Sequence, residues 1–374
     1  MNTASSGLYA TAGLGKHYVL WLRGSTLLAQ ELDPESLKMI GEPHPLAGPV
    51  GSLNGVTNVS ISGNGLLVYG TSNQLAQFKW FDRTGQPLGN VGEPGEYNAF
   101  RLAADGRRAV FSWTHPQSSD LWLLDTERGI SNRFTANQGI AAYPVWSHDG
   151  STVVFSTGEP LSLFRKATSG VGGEERLTES KSLQLATDWS RDGRLLYFEV
   201  GPNTQEDIWT VPVTSDGRRI SGVDPKVYMQ TPFRELDGRF SPEASPRWIA
   251  YMSNKSGQSE VYIDSFPEAG HEIRISSGGG LYPEWSDTGK ELFYLSPEYS
   301  LMSVGLKSTA TSLEPSAPRE LFRLPAAVST WSPYQVGPGG HRFLVRAVTE
   351  QQASQPLTVI VNWPALLKKG VAGQ

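Results

Sequence analysis

Apolar runs of about four to six residues recur along the whole chain, separated by polar clusters rich in Gly, Asp, Asn and Ser. Runs this short, bounded by turn residues, predict strands rather than helices. One unit repeats: an aromatic or aliphatic residue, usually Ser, two polar residues, Gly, and then an apolar strand. It reads Trp146-Ser147-His148-Asp149-Gly150 before TVVFS, Trp189-Ser190-Arg191-Asp192-Gly193 before LLYFE, and Trp285-Ser286-Asp287-Thr288-Gly289 before ELFYLS. Phe240-Ser241-Pro242-Glu243 precedes WIAYMS, with an Ala-Ser-Pro insertion where the turn Gly would stand, and weaker copies occupy 61–65, 102–106 and 336–340. Gly65, Gly106, Gly150 and Gly193 lie about 41 to 44 residues apart, which is the period of a propeller blade.

The unit has a physical reading. A two-residue Asp-Gly, Asn-Gly or Gly-Gly connection supplies the positive φ angles of a tight hairpin, so each motif joins a strand A to a strand B. A third apolar run follows at 121–124, 161–164, 208–211, 261–263, 301–304 and 357–361, giving strand C, and polar segments such as 131–135 and 174–178 supply strand D. At the N-terminus, 18–22, 27–32 and the region around 44–46 read as B, C and D, with a short A near 8–10. The last copy shows A, B and C without an evident D, and pairing between the chain ends would remove exposed edges. The expectation is an all-β, closed β-propeller of four-stranded antiparallel blades, eight in number with seven as the alternative. It forms one domain over 1–364, with repeats starting near 8, 56, 97, 141, 184, 233, 279 and 329 and a tail at 365–374.

These residues resemble the TolB-like (PD40) branch of WD40-like propellers, whose signature is Pro-x-Trp-Ser-x-Asp-Gly before an apolar strand. Residues 144–150 match it with His148 at the variable position, and 283–289 match with Thr288 in place of Asp. The stretch 253–304 is more narrowly similar to the C-terminal sensor propellers of bacterial membrane-bound serine/threonine protein kinases, through SNKSGQSEVYIDSFPEAG, GGGLYPEWSDTGKELFYLS and LMSV. That resemblance implies a sensor or protein-interaction module in a periplasmic or extracellular setting, possessed by a larger membrane-bound protein or standing alone. No kinase glycine-rich loop, His-Arg-Asp segment or Asp-Phe-Gly is present, so no kinase activity is carried over. Residues 1–15 lack the charged start and apolar core of a signal peptide, which leaves a cytoplasmic setting open.

Composition narrows the chemistry. The 374 residues carry 32 Lys+Arg against 37 Asp+Glu, a net charge of −5, whereas a nucleic-acid partner calls for concentrated cations. No cysteine is present, so disulfides, thiolate nucleophiles and Cys-based zinc sites are excluded. The six histidines (His17, His44, His115, His148, His271, His341) show no metal-ligand spacing, and no cofactor is expected. Asp120, Asp207 and Glu260 recur just before strand C and read as carboxylates bonded within their own blades. Trp146, Trp189 and Trp285 occupy equivalent strand-A positions and read as packing between blades. No GxSxG elbow appears.

A propeller frees its connections for recognition. The B–C and D–A connections share one face around the channel mouth, where Tyr97, Trp113, His115, Tyr143, Glu199, Arg234, Asp237, Asn254, Tyr282 and Trp331 are expected to form a binding surface, aromatic and Arg side chains being the usual anchors. The function expected is a non-catalytic scaffold for a protein, peptide or small ligand. The alternative is a metal-dependent, lactonase-like hydrolase or lyase working in the channel.

Overall fold

The computed structural model describes residues 7–12, 15–53, 56–70, 75–115, 118–136, 139–201, 205–309, 312–325, 332–349 and 357–371. The chain divides into two compact units, Ala76–Ala347 and a terminal unit of Met1–Leu75 with Val348–Gln374.

Ala76–Ala347 is built from six antiparallel sheets. Blade 1 pairs Tyr97–Leu102, Arg108–His115, Ser118–Asp125 and Ser131–Arg133 in that order, and blade 2 pairs Ala141–Trp146, Thr152–Thr157, Ser162–Ala167 and Glu175–Arg176. Blade 3 comprises Gln184–Trp189, Arg194–Val200, Glu206–Pro212 and Lys226–Met229; blade 4 comprises Glu235–Phe240, Trp248–Ser253, Glu260–Ser265 and Ile273–Arg274. In blade 5, Leu281–Trp285, Glu291–Leu295 and Ser300–Ser308 are followed by Leu313–Pro315 and Arg319–Arg323, both paired to the third strand. Blade 6 joins both ends of the unit: Tyr334–Val336 and Arg342–Val348 supply its first two strands, and Ala76–Asp82 and Pro87–Gly95 its outer two. The first strands contact one another in a cycle that returns from blade 6 to blade 1.

This grouping departs from the expected eight blades, or seven. The strand-C run of the last copy, Thr358–Val361, pairs with Leu66–Tyr69 of the terminal unit, while Ala76–Asp82 of the repeat starting near 56 pairs with Arg342–Val348 and carries Pro87–Gly95 on its other side. Period and turn residues identify each hairpin but carry no information on which later strand completes its sheet, because any apolar strand of the right length satisfies the same ladder. The terminal unit holds one four-stranded sheet, Leu8–Ala12, Lys16–Arg23, Thr26–Asp33 and Lys38–Ala47, as the N-terminal reading expected. It also holds a sheet of Val59–Ile61, Leu66–Tyr69 and Thr358–Val361, around a core containing Leu20, Leu27, Leu67 and Trp363.

Burial in the blades explains their sequence. The second strands of blades 2 and 4, TVVFST and WIAYMS, are buried at every position, since neighbouring blades cover both faces of the sheet and a continuous apolar run results instead of strict alternation. Trp146 and Trp189 are buried in the seams between blades 1 and 2 and between blades 2 and 3, and Trp285 packs half-buried against the seam between blades 4 and 5. Trp146 Nε1 donates to the Arg101 carbonyl and Trp285 Nε1 to the Arg239 carbonyl, each at 3.1 Å and each into the preceding blade. The aromatic position of the motif therefore ties blades together as well as filling space.

The motif turns differ from the two-residue form expected. Gly150 has φ 67°, whereas Asp149 does not take a positive φ. Ser147 N–H donates to the Thr152 carbonyl at 2.9 Å and Gly150 N–H to the Ser147 carbonyl at 2.9 Å. This is a wider loop in which only Gly must adopt the left-handed conformation. The side chains stabilise it: Ser147 Oγ donates to Asp149 at 2.6 Å and accepts from Thr152 N–H at 2.9 Å, and Ser190 repeats the arrangement with Asp192 and Arg194.

Candidate functional site at the propeller axis

In each blade of Ala76–Ala347 the residue just before the aromatic motif position lies on the first strand and lines the axis. These are Arg101, Val145, Asp188, Arg239, Glu284 and Gln335, all of them lining one cavity of about 310 Å³. Five of the six are polar or charged, and four of them, Arg101, Arg239, Glu284 and Gln335, bond through Glu284. Glu284 Oε1 accepts from Arg101, from Arg239 Nε at 3.1 Å and from Gln335 Nε2 at 2.9 Å. Arg101 and Arg239 also donate to the Thr187 carbonyl, at 2.9 and 2.8 Å. Asp188 accepts from the backbone N–H of Trp189 at 2.9 Å and of Phe240 at 2.7 Å. Burial pushes the Asp188 carboxyl up to about 6 against the pull of Arg101, and burial likewise raises Glu284. Removing charge from water disfavours the ionised form, and here neighbouring cations only partly offset that cost.

Beyond this belt the cavity extends to the A–B turns, lined by Trp146, Trp189 and Trp285 and by the exposed His148, Arg191 and Asp287. His148 is held below the usual imidazole range by burial and then by the Arg191 charge. The belt was missed in the sequence reading, which treated the motif one residue too narrowly. Aligning the copies on their aromatic position puts charged or amide groups at an inward-facing strand position in five of six blades, and that was available from the sequence.

The residues expected at the opposite mouth fall into small groups. Tyr143, Asp237 and Tyr282 occupy matching first-strand positions with φ of 54°, 50° and 55°; burial raises the Tyr143 and Tyr282 phenols, and the Asp237 carboxylate adds to both. Asp237 is buried, sits 3.7 Å from Arg239 through Oδ1, and is pushed up to about 7 by burial. Tyr143 and Tyr282 pack on an apolar cluster containing Leu185, Phe198, Leu236 and Met252. Tyr97 is buried in blade 1 and stacks on Phe78 at 4.9 Å, with Trp113 edge-on at 5.5 Å and His115 stacked on Trp113 at 6.4 Å. Burial pushes the Tyr97 phenol up to about 12. Arg234 forms a bidentate pair with Glu206 at 2.7 and 2.8 Å, and its backbone N–H donates to Asn254 at 3.0 Å. Glu199 accepts from Ser180 at 2.9 Å and Gln184 at 2.7 Å. Trp331 lies outside the described residues.

The carboxylates before strand C are bonded inside their own blades. Asp120 pairs with Arg133 at 2.6 Å, Asp207 accepts from Gln230 at 3.0 Å, and Glu260 accepts from Arg274 at 2.5 Å and from Ser276. Burial works to raise Glu260, and the donors at Ser276, Gln258 and Arg274 outweigh it and leave the carboxyl lowered. Among the described residues, no group of three or more His, Asp or Glu is placed to hold a metal ion, and no helix is long and apolar enough to cross a membrane.

Four-stranded antiparallel blades whose first strands cycle around a polar axis define a β-propeller, and its blade motif resembles that of the TolB-like propellers. No protein-family model matches the chain. A curated relative, the Tol-Pal system protein TolB of Wolinella succinogenes, is 21% identical over 207 residues, which is 52% of this chain and 47% of that protein. The match thus spans about half the length of the curated relative. Among solved structures, a protein assigned to TolB from Agrobacterium tumefaciens superposes with a TM-score of 0.56 at 15% identity, over 74% of this chain and 99% of that one. An oligogalacturonate lyase in complex with manganese superposes with a TM-score of 0.50 at 13% identity, over 79% of this chain and 84% of that one. The fold is that of a TolB-like β-propeller, and one fold of this kind serves binding proteins and enzymes alike.

Proposed function

We propose that the chain is a non-catalytic binding scaffold that takes a protein, peptide or small ligand at a mouth of the channel in Ala76–Ala347. The observation that carries this reading is the cavity at the A–B turn end: every blade contributes to its wall, and Arg101, Arg239 and Gln335 on its floor are bonded to Glu284. A floor built that way shapes and electrostatically marks a pocket. The relative's designation as a Tol-Pal system protein favours a protein or peptide partner and a periplasmic setting over a small molecule in the cytoplasm. A sensor role in a longer membrane-bound protein belongs to the same reading. Recognition at the opposite mouth through Tyr97, Trp113, His115, Tyr143, Glu199, Arg234, Asp237, Asn254, Tyr282 and Trp331 is part of the proposal, with the exposed His115 and Arg234 the members best placed to reach a partner.

Two variants separate the mouths: Arg191→Glu with Asp287→Lys on one, and His115→Ala with Asn254→Ala on the other. Capture from a cell-envelope extract by immobilised wild type should be lost in one of them while thermal stability is kept. Stoichiometric retention of a divalent ion, with chelator-sensitive cleavage of a lactone or a uronate polymer, would overturn the scaffold reading in favour of a lyase or hydrolase.

A further inference from the structure

Most outer strands among the described residues are defended against further pairing; Thr358–Val361, like the edge strands Val59–Ile61 and Leu8–Ala12, carries neither charge nor proline, and it alone of the three exposes a row of large apolar side chains. Lys38–Ala47 carries Lys, Glu and two prolines; Pro87–Gly95 carries two prolines and irregular register; the outer strands of blades 1 to 5 each carry Arg, Lys, Glu or Pro. Charge, proline and bulges are the usual devices that keep an edge from acting as a template. In the terminal unit, Thr358–Val361 is the edge strand of a sheet with three strands among the described residues, paired on one side to Leu66–Tyr69. Its sequence, TVIV, has none of these devices, and the chain carries no charged residue from Gln351 to Leu367.

Its side chains divide cleanly. Leu357, Val359 and Val361 are 67%, 56% and 74% exposed, whereas Ile360 packs against the core of the terminal unit. We propose that this edge pairs antiparallel with the same edge of a second copy of the chain, joining two three-stranded sheets into one of six strands. Centring the pair on Val359 sets Leu357 against Val361 of the second copy and Thr358 against Ile360. Every exposed apolar residue then meets an exposed apolar residue, which is the cross-strand arrangement that stabilises a sheet. The segment also suits a copy of itself electrically: each chain carries a net charge of −5, and this edge adds no like charge at the seam. A seam of about five residues a side is far below the ~20–30 of a standard interface, so the association is weak and concentration-dependent.

The absence of cysteine from the chain makes the test direct. In Val359→Cys, the symmetric centre of the seam brings the two thiols together, since directly opposed Cβ atoms lie about 4.5–5.5 Å apart. Under mild oxidation this variant should form a covalent dimer about tenfold or more faster than Val171→Cys, a control at a 78% exposed loop residue. Sedimentation velocity of the wild type, run from low micromolar to its solubility limit, should show a dimer that Val359→Lys weakens by about tenfold or more, with an unchanged far-UV spectrum showing that the variant is folded. Equal cross-linking of the two cysteine variants, a wild type that stays monomeric throughout, or a dimer indifferent to Val359→Lys would each overturn the proposal. So would an edge that stays monomeric and pairs only with an unrelated extended peptide.

Discussion

Replacing Asp237 with Asn tests the electrostatics of the channel more sharply than any truncation. Asp237 is buried, its Oδ2 has no hydrogen-bond partner among the described residues, and its Oδ1 lies 3.7 Å from Arg239. Asn has nearly the same shape and tolerates the φ of 50° found there, since Asn visits the left-handed region more readily than most residues. Burial raises the carboxyl from an ordinary value near 3.8 to about 7, with Arg101 opposing and Glu284 adding to the rise. At 1.36 kcal/mol per pH unit, keeping Asp237 ionised in the folded protein costs about 4 kcal/mol relative to the unfolded chain. The sign follows from the proton count. Between about pH 4 and 7 the folded state holds a proton here that the unfolded state has released, so this group's contribution to stability falls as pH rises through that window and levels off above it. Asp188, pushed to about 6, acts in the same direction, while lowered carboxyls such as Glu291 and Asp149 act oppositely. All of these are common to both proteins and largely cancel in the difference. Urea unfolding followed by tryptophan fluorescence should find Asp237→Asn close to wild type at pH 4 and more stable by up to about 4 kcal/mol at pH 8. A difference that does not change with pH would refute the reasoning, because it would mean that Asp237 titrates normally in the fold.

Trp146→Ala should cost about 3–5 kcal/mol, since it empties the seam between blades 1 and 2 and removes the bond to the Arg101 carbonyl; a loss below ~0.5 kcal/mol, the range of surface substitutions, would place Trp146 outside the core. Glu284→Gln strips the carboxylate that Arg101, Arg239 and Gln335 share, and unfolding should show a loss of about 3–5 kcal/mol, the usual cost of breaking a buried ion pair on one side, here that of Arg101. Gly193→Ala forces a Cβ to within 2.6 Å of the Val213 carbonyl oxygen at φ 82°, so a lower melting temperature is expected, and an unchanged one would mean that the turn relaxes. Tyr282→Ala should destabilise by more than about 1 kcal/mol, because the ring packs on Leu236 and Met252 and large-to-small changes in packed sites cost at least that; neutral stability with lost partner capture would instead mark it as a ligand contact.

The sequence showed the strands and their turns more completely than their partners. Hairpin signals at Gly106, Gly150, Gly193 and Gly289 lie where the chain turns, because a left-handed residue is a local demand that only a few residue types meet. The assignment of Thr358–Val361 to a sheet is a long-range choice, and the strand satisfies any apolar ladder equally well, so periodicity read it as the third strand of the last copy whereas it pairs with Leu66–Tyr69. Site residues divided along the same line. Aromatics such as Tyr97 and Tyr282 looked like anchors because their type favours interfaces, yet their neighbours Phe78, Phe111, Leu236 and Met252 come from other blades or other strands and turn them largely inward.

The axial belt shows what a repeat can encode that no single motif displays. Adjacent blades place their inward residues side by side, but the ion pair between Arg101 of blade 1 and Glu284 of blade 5, together with the Arg101 bond to the Thr187 carbonyl of blade 3, reaches across the axis. Arg239 and Gln335 draw blades 4 and 6 to the same carboxylate. Such a cross-tie would be costly if any member lacked a partner, and each copy of the motif must therefore carry a particular polar residue at a position where propeller packing alone would accept any side chain of suitable size. Val145 of blade 2 is the exception that makes the point, since its neighbours satisfy the network without it. Glu284 thus gathers Arg101, Arg239 and Gln335 from blades 1, 4 and 6 into one charged belt on the cavity that Trp146, Trp189 and Trp285 also line.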